Sequence, residues 1–167
     1  MGRLVEIVMG SDSDLPVMEE TKKVLKEFRI PCEFRIISAH RTPDVASEYA
    51  RNLSRRGVKV VIAGAGAAAH LAGVIASHTI IPVIGVPLNT SPLSGIDSLF
   101  SIVQMPSGVP VATMAIGKAG AKNAAILAAQ ILAIGNKRLR KVLENYKRKT
   151  AEEVIKKDIK LSKIKFK

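Results

Sequence analysis

In the hexapeptide Ser38-Ala39-His40-Arg41-Thr42-Pro43 a proton carrier and a permanent cation stand side by side. Histidine is the side chain whose ordinary acidity lets it give and take a proton near neutral pH. Arginine presents paired N–H donors that fit a phosphate or a carboxylate. His40 is therefore a candidate acid–base group and Arg41 a candidate anion holder. On residue chemistry alone, a His-Arg pair on a solvated loop before a proline-stiffened helix start is an equally good reading.

Two other segments carry chemistry of a weaker kind. In Gly10-Ser11-Asp12-Ser13-Asp14 the glycine permits a tight turn, while the hydroxyls and the free N–H groups of a helix start suit a phosphate. Asp14 suits a sugar hydroxyl; the plainer reading is a set of helix caps. The segment is neither a Walker A loop nor a GxGxxG fingerprint, which weighs against ATP and dinucleotides. Ala63-Gly64-Ala65-Gly66-Ala67-Ala68-Ala69-His70-Leu71 offers very small walls and then a histidine, fitting a flat ring or a gas-sized molecule, or else close helix–strand packing with His70 in the core. His78 has no partner pattern and reads as structural. His40, His70 and His78 lack metal-ligand spacing and the middle of the chain is poor in carboxylates, so no metal is expected.

These segments need elements to position them. Leu4–Met9 reads as a strand and the stretch from Asp14 towards Pro31 as a helix, with Asp14 as cap and Pro16 in the first turn. Strands follow at 33–37, 58–63, 82–86 and 109–113, alternating with helices at 44–56, 68–79, 97–104 and 117–134. Alternation with apolar strands predicts an α/β fold: a three-layer, doubly wound parallel sheet of flavodoxin-like kind with a C-terminal helical extension. Residues 1–135 form the catalytic domain in this reading, and 136–167 a basic helix and tail belonging to the same unit. Ligands of such sheets lie beyond the carboxyl ends of the strands, where three loops meet the condition: Gly10–Asp14, Ser38–Pro43 and Gly64–Ala69.

The chain has 167 residues and a formal net charge of +12, which raises the question of nucleic acid. Residues 136–167 hold 13 Lys/Arg against 4 Asp/Glu, a net +9, and leave only +3 for the body. Leu139, Val142, Leu143 and Tyr146 recur there at helical spacing, so the tail reads as a helix packed on its own or a neighbouring subunit, and no nucleic-acid partner is expected. From Val60 to Gly117 the only charged residue is Asp97. Glycines, histidines and prolines cut this stretch into pieces too short for a membrane span, so it is expected to be deeply buried, with oligomer contacts. The single Cys32 excludes an intramolecular disulfide, and no targeting segment precedes the first strand; both fit a cytoplasmic protein.

Five motifs in order, GSDSD, SAHRTP, AGAGAAAHLAG, DSLFSIVQMPSGVPV (Asp97–Val111) and AIGKAGAKNAA (Ala115–Ala125), make the chain resemble the N5-carboxyaminoimidazole ribonucleotide mutases from about Leu4 to Ala133. The resemblance implies a metal-free, ATP-free and cofactor-free step of purine synthesis, in which a carboxylate moves from the exocyclic nitrogen to C4 of the imidazole of a ribonucleotide. It implies proton transfer by His40 and nucleotide contacts from Ser11, Asp14 and Arg41. Ser38 would adjoin the site, and His70 with Leu71 would border the pocket for the carboxyl group. It also implies a homo-octamer. Ala67 stands where the family pattern commonly has Gly and Ala72 where it commonly has Pro, which bears on local backbone shape. The related enzymes that carboxylate aminoimidazole ribonucleotide directly tend to carry Lys where this chain has Arg41.

Overall fold

The structure is a computed structural model and describes residues 4–162. Five strands, β1 (Val5–Met9), β2 (Cys32–Ile36), β3 (Val60–Gly66), β4 (Val83–Leu88) and β5 (Ala112–Thr113), form one all-parallel sheet in the order β2-β1-β3-β4-β5. Between and after them run α1 (Leu15–Glu27), α2 (Pro43–Asn52), α3 (Leu71–Ala76), α4 (Ile96–Val103), α5 (Lys118–Ala133) and α6 (Lys137–Ser162). The flavodoxin-like, doubly wound α/β reading is what the chain adopts.

The period of two along β1 decides which layer each residue feeds. Val5, Ile7 and Met9 pack into a core shared with α1, α5 and α6, whereas Val8 enters the core under α2 and α3. Alanines make the first core tight: Ala121, Ala124, Ala125, Ala128 and Ala129 are fully buried, and Gly120 lies so close to Ala115 that a Cβ would stand 1.6 Å from its carbonyl oxygen. Leu139 and Leu143 seat α6 on the same core, and Tyr146 meets Phe28 edge-on at 5.1 Å. Glu6, on the Val8 face, is fully buried; Arg56 pairs with it and lies over the Tyr49 ring at 5.3 Å. Burial and the Glu6 carboxylate together push the Tyr49 phenol well above its usual range.

Several boundaries differ from the sequence reading, each for a local reason. β3 continues through Gly64–Gly66, where the sequence predicts a loop, because Ala65 and Gly66 pair with Pro87 and Leu88. β4 correspondingly runs past Pro87; β5 pairs only with Ile84 and Gly85, so no strand lies beside Pro87 on that side, where its carbonyl accepts from Gly117 N–H and its missing N–H costs no ladder bond. β5 shrinks to two residues, since Val109 N–H turns back to Pro106 O, Gly108 takes φ 93° and Pro110 has no donor. Helix α2 stops at Asn52, with a turn to Gly57 at φ 78°. Helix α3 is confined to Leu71–Ala76, and Asp14 occupies the cap position of α1 without capping it by its side chain.

The uncharged middle is not buried throughout a single chain. Its strands are, but Ile80 is 96% exposed, and Leu93, Ile96, Phe100 and Val103 also face outward. Residues 150–162 of α6 are exposed as well, including Val154, Ile155, Ile159 and Leu161; the last part of the basic tail, 163–167, lies outside the described residues. Among the described residues no helix is long and apolar enough to cross a membrane.

Candidate active site

At the carboxyl end of β1 the chain turns at Gly10, and Ser11 caps a single 3-10 turn, Asp12–Asp14. Ser13 donates from its N–H and its hydroxyl to Ser11 Oγ, at 3.3 and 2.9 Å. Ser11 N–H donates to Asp14 Oδ2 at 3.1 Å. Asp14 is buried, and desolvation holds its carboxyl above the ordinary 3.8, opposed by backbone donation from Ser11 and Gly10. Ser11 is thus a cap of the short turn, whereas Asp14 turns its carboxylate back to Ser11 and does not cap α1.

The second loop is tied to itself and then to the first. Thr42 Oγ1 donates to Ser38 O at 2.8 Å and accepts from Ser38 N–H at 3.2 Å, after which Pro43 opens α2. Arg41 donates from its backbone N–H and from Nε to Ser38 Oγ, both at 3.2 Å, and from Nη2 to Gly10 O at 2.9 Å. Ser38 and Arg41 thus clamp the ends of β1 and β2 together, with further guanidinium N–H groups left over.

The third loop leaves β3 at Gly66, and Ala67 takes φ 51°, a left-handed conformation that favours glycine. His70 then stands directly before α3. Its Nδ1 lies 2.8 Å from His40 Nε2, with the two rings edge-on at 81° and their centroids 5.0 Å apart. The two histidines singled out in separate motifs are therefore hydrogen-bonded partners, and both are exposed.

These loops enclose a cavity of about 360 Å³. Ser11, Ser13 and Asp14 line it from the first loop, Ser38 to Arg41 from the second, and Ala65, Gly66, Ala68 and Leu71 from the third. His70 meets the cavity through His40. Sequence reasoning missed Thr90, on the loop after β4: it lines the cavity and packs on Gly66 so closely that a Cβ there would stand 1.6 Å from Thr90 Oγ1. The rule that ligands sit beyond strand ends would have found it had β4 been carried past Pro87. A larger cavity, about 770 Å³, lies at the opposite end of the sheet between α1 and α6; it is lined mainly by apolar residues such as Phe28, Ile30 and Leu139 and brings no histidine together. No cluster of three or more metal-ligating side chains occurs among the described residues.

A parallel sheet in flavodoxin-like order, with a crevice of hydroxyls, one carboxylate, one guanidinium and one histidine across its strand ends, has its cavity where α/β folds of this kind hold small molecules. The chain belongs to the AIR carboxylase family, which matches residues 4–153. It is 56% identical over 163 residues to an N5-carboxyaminoimidazole ribonucleotide mutase of Thermotoga maritima, covering 98% of this chain and 94% of that protein. A protein of the same name from Pyrococcus horikoshii is 58% identical over 154 residues, covering 90% and 86%. A phosphoribosylaminoimidazole carboxylase of Candida glabrata is 53% identical over 161 residues, but this chain spans only 28% of its length. The crystal structure of Treponema denticola PurE superposes with a TM-score of 0.84 at 32% identity, covering 95% of this chain and 98% of that one.

Proposed function

We propose that this protein is an isomerase that converts N5-carboxyaminoimidazole ribonucleotide to 4-carboxy-5-aminoimidazole ribonucleotide, with His40 as its proton carrier. The observation that carries the reading is convergence: residues from three separated motifs, Ser11 and Asp14, Ser38 to Arg41, and Ala65, Gly66 and Leu71, meet at one cavity of about 360 Å³, with His70 behind its wall in contact with His40.

In this reading Arg41 and the Ser11 and Ser13 hydroxyls hold the phosphate, and Asp14 accepts from the ribose. Ala65, Gly66 and Ala68 leave room for the flat base and for carbon dioxide beside it. The N–C bond of the carbamate breaks, its electron pair stays on the exocyclic nitrogen, and that nitrogen takes a proton from His40. The enamine-like C4 then attacks the retained carbon dioxide, and His40 removes the C4 proton to restore aromaticity. One proton has passed from C4 to nitrogen and His40 ends as it began, so the cycle balances without metal, ATP or other cofactor. Ser38 positions Arg41.

The exposed Ile80, Leu93 and Phe100, together with the apolar end of α6, support assembly into a homo-octamer, with residues 1–135 doing the chemistry and 136–167 assisting assembly. The partners in this reading are the ribonucleotide and other copies of the chain, with no nucleic acid and no membrane, in the cytoplasm. The test is turnover by His40→Asn. Nucleotide affinity is expected to stay within roughly tenfold of the parent while the rate falls by about a hundredfold or more. A variant turning over nearly as fast as the parent would remove His40 from the mechanism.

A further inference from the structure

Strand β4 ends at Leu88, which pairs with Gly66, and two residues later the chain returns to the same glycine. Thr90 Oγ1 stands 1.6 Å from the place a Cβ on Gly66 would take, so the missing side chain lets a hydroxyl sit against the end of β3. No protein group among the described residues bonds that hydroxyl, and Thr90 lines the cavity. The loop carrying it is tied on both sides. Before Thr90, Ser98 Oγ donates to Leu88 O at 2.8 Å. After it, Ser91 Oγ donates to Asp97 Oδ1 at 2.9 Å and accepts from Leu93 N–H at 3.2 Å. Asp97, the only charged residue between Val60 and Gly117, thus fixes this loop. On the same wall the side chains of Ala65, Ala68 and Leu71 carry no polar atom, and the sheet order sets Thr90 across β3 from the loops of Ser11, Asp14 and Arg41.

We infer that Thr90 is a specificity-determining residue whose hydroxyl donates to the carboxylate of the bound ribonucleotide, separating carboxylated from uncarboxylated ligands. This rests on the reading of the cavity as the ribonucleotide site, with the phosphate at Arg41 and the base beside Gly66. The imidazole end then faces the β4 side, and the carboxylate is the one charge it carries. A carboxylate only accepts hydrogen bonds and is costly to take out of water without a donor. The aliphatic wall offers no side-chain donor, and Thr90 supplies one. Because Ser91 and Ser98 already hold the loop, little freedom is lost when the contact forms. Aminoimidazole ribonucleotide has no carboxylate to accept the bond, and a site built around a ligand's polar group discriminates against the analogue that lacks it.

The test is calorimetric titration of the parent, Thr90→Ser and Thr90→Ala with two ligands, 4-carboxy-5-aminoimidazole ribonucleotide and aminoimidazole ribonucleotide. Thr90→Ser loses only the methyl group and Thr90→Ala loses the hydroxyl as well, so the difference between these variants belongs to the hydroxyl. Thr90→Ala is expected to bind the carboxylated ligand about tenfold more weakly, the low end for a hydrogen bond to a charged group because the site opens to solvent. Its affinity for aminoimidazole ribonucleotide should stay within about twofold of the parent, and Thr90→Ser should stay within about threefold for both ligands. Equal losses for the two ligands in Thr90→Ala overturn the inference, as does an unchanged affinity for the carboxylated one, or a Thr90→Ser that loses as much as Thr90→Ala. A parent that binds both nucleotides but does not turn over N5-carboxyaminoimidazole ribonucleotide would instead overturn the reaction proposed above, and the titrations would still decide the role of Thr90.

Discussion

Gly66→Ala places a methyl group where Thr90 already stands. The new Cβ would lie 1.6 Å from Thr90 Oγ1, 2.8 Å from its Cβ and 3.1 Å from its Cγ2. Rotating the Thr90 side chain moves Oγ1 and Cγ2 but leaves its Cβ in place. Ordinary contact begins at 3.4 Å, so the backbone at Thr90 or at the end of β3 has to yield by roughly 0.6 Å. Overpacking of this kind costs about 1–3 kcal/mol, which in a domain of this size lowers Tm by about 2–12 °C. Both residues line the cavity, and a shift of this size beside the reacting groups is expected to cut kcat by about tenfold. Thr90→Gly removes every clashing atom, so Gly66→Ala on that background should be neutral to within about 0.5 kcal/mol. Urea unfolding and turnover of the parent, the two single variants and the double variant complete the cycle. Additive effects, with Gly66→Ala equally harmful in both backgrounds, would refute the argument that Gly66 makes room for Thr90.

Asp14 and Ala67 give two further tests. Burial raises the Asp14 carboxyl above its ordinary 3.8, so the folded protein keeps that proton to higher pH than the unfolded chain does. The stability this provides is complete below about pH 4 and is lost as pH rises through the folded-state value. Asp14→Asn abolishes the loss; its unfolding free energy relative to the parent should improve from pH 4 to neutrality by about the amount of that loss, and a difference independent of pH would contradict the assignment. The same variant should bind nucleotide about tenfold more weakly, because a neutral acceptor replaces a charged one. Ala67→Gly relieves a left-handed residue at φ 51° and should stabilise the fold by up to about 1 kcal/mol, read as a Tm higher by roughly 1–4 °C; a lower Tm would show that the loop does not strain there.

What was legible in the sequence followed from short-range rules. Apolar runs bounded by Gly, Pro and Asp mark β1 and β2 to within a residue and the start of α1, which ends at Glu27 and not near Pro31, and parallel pairing then places Ser11, His40 and the loop after Gly66 at one end of the sheet. What was not legible depends on partners distant in sequence. Pro87 read as a strand end because the sequence does not reveal that β5 is too short to pair beside it, and that error concealed Thr90. Val109 and Pro110 have strand-like neighbours, yet the turn closed on Pro106 excludes them from β5. Glu6 inside an apolar strand gave no hint of Arg56, fifty residues away, which neutralises it. His40 and His70 were each picked out for their own loops, but their 2.8 Å contact spans thirty residues and exists only because β1 lies between β2 and β3.

The central claim is that the carboxyl group is moved within one bound molecule. Substrate carrying carbon-13 in its N5-carboxyl group, turned over at early times in an excess of unlabelled bicarbonate, tests this most directly. Retention of the label in the C4-carboxyl group of the product is expected, because the cavity holds the released carbon dioxide until C4 attacks it. Product whose carboxyl carbon came wholly from the bicarbonate pool would contradict the claim and identify a direct carboxylase.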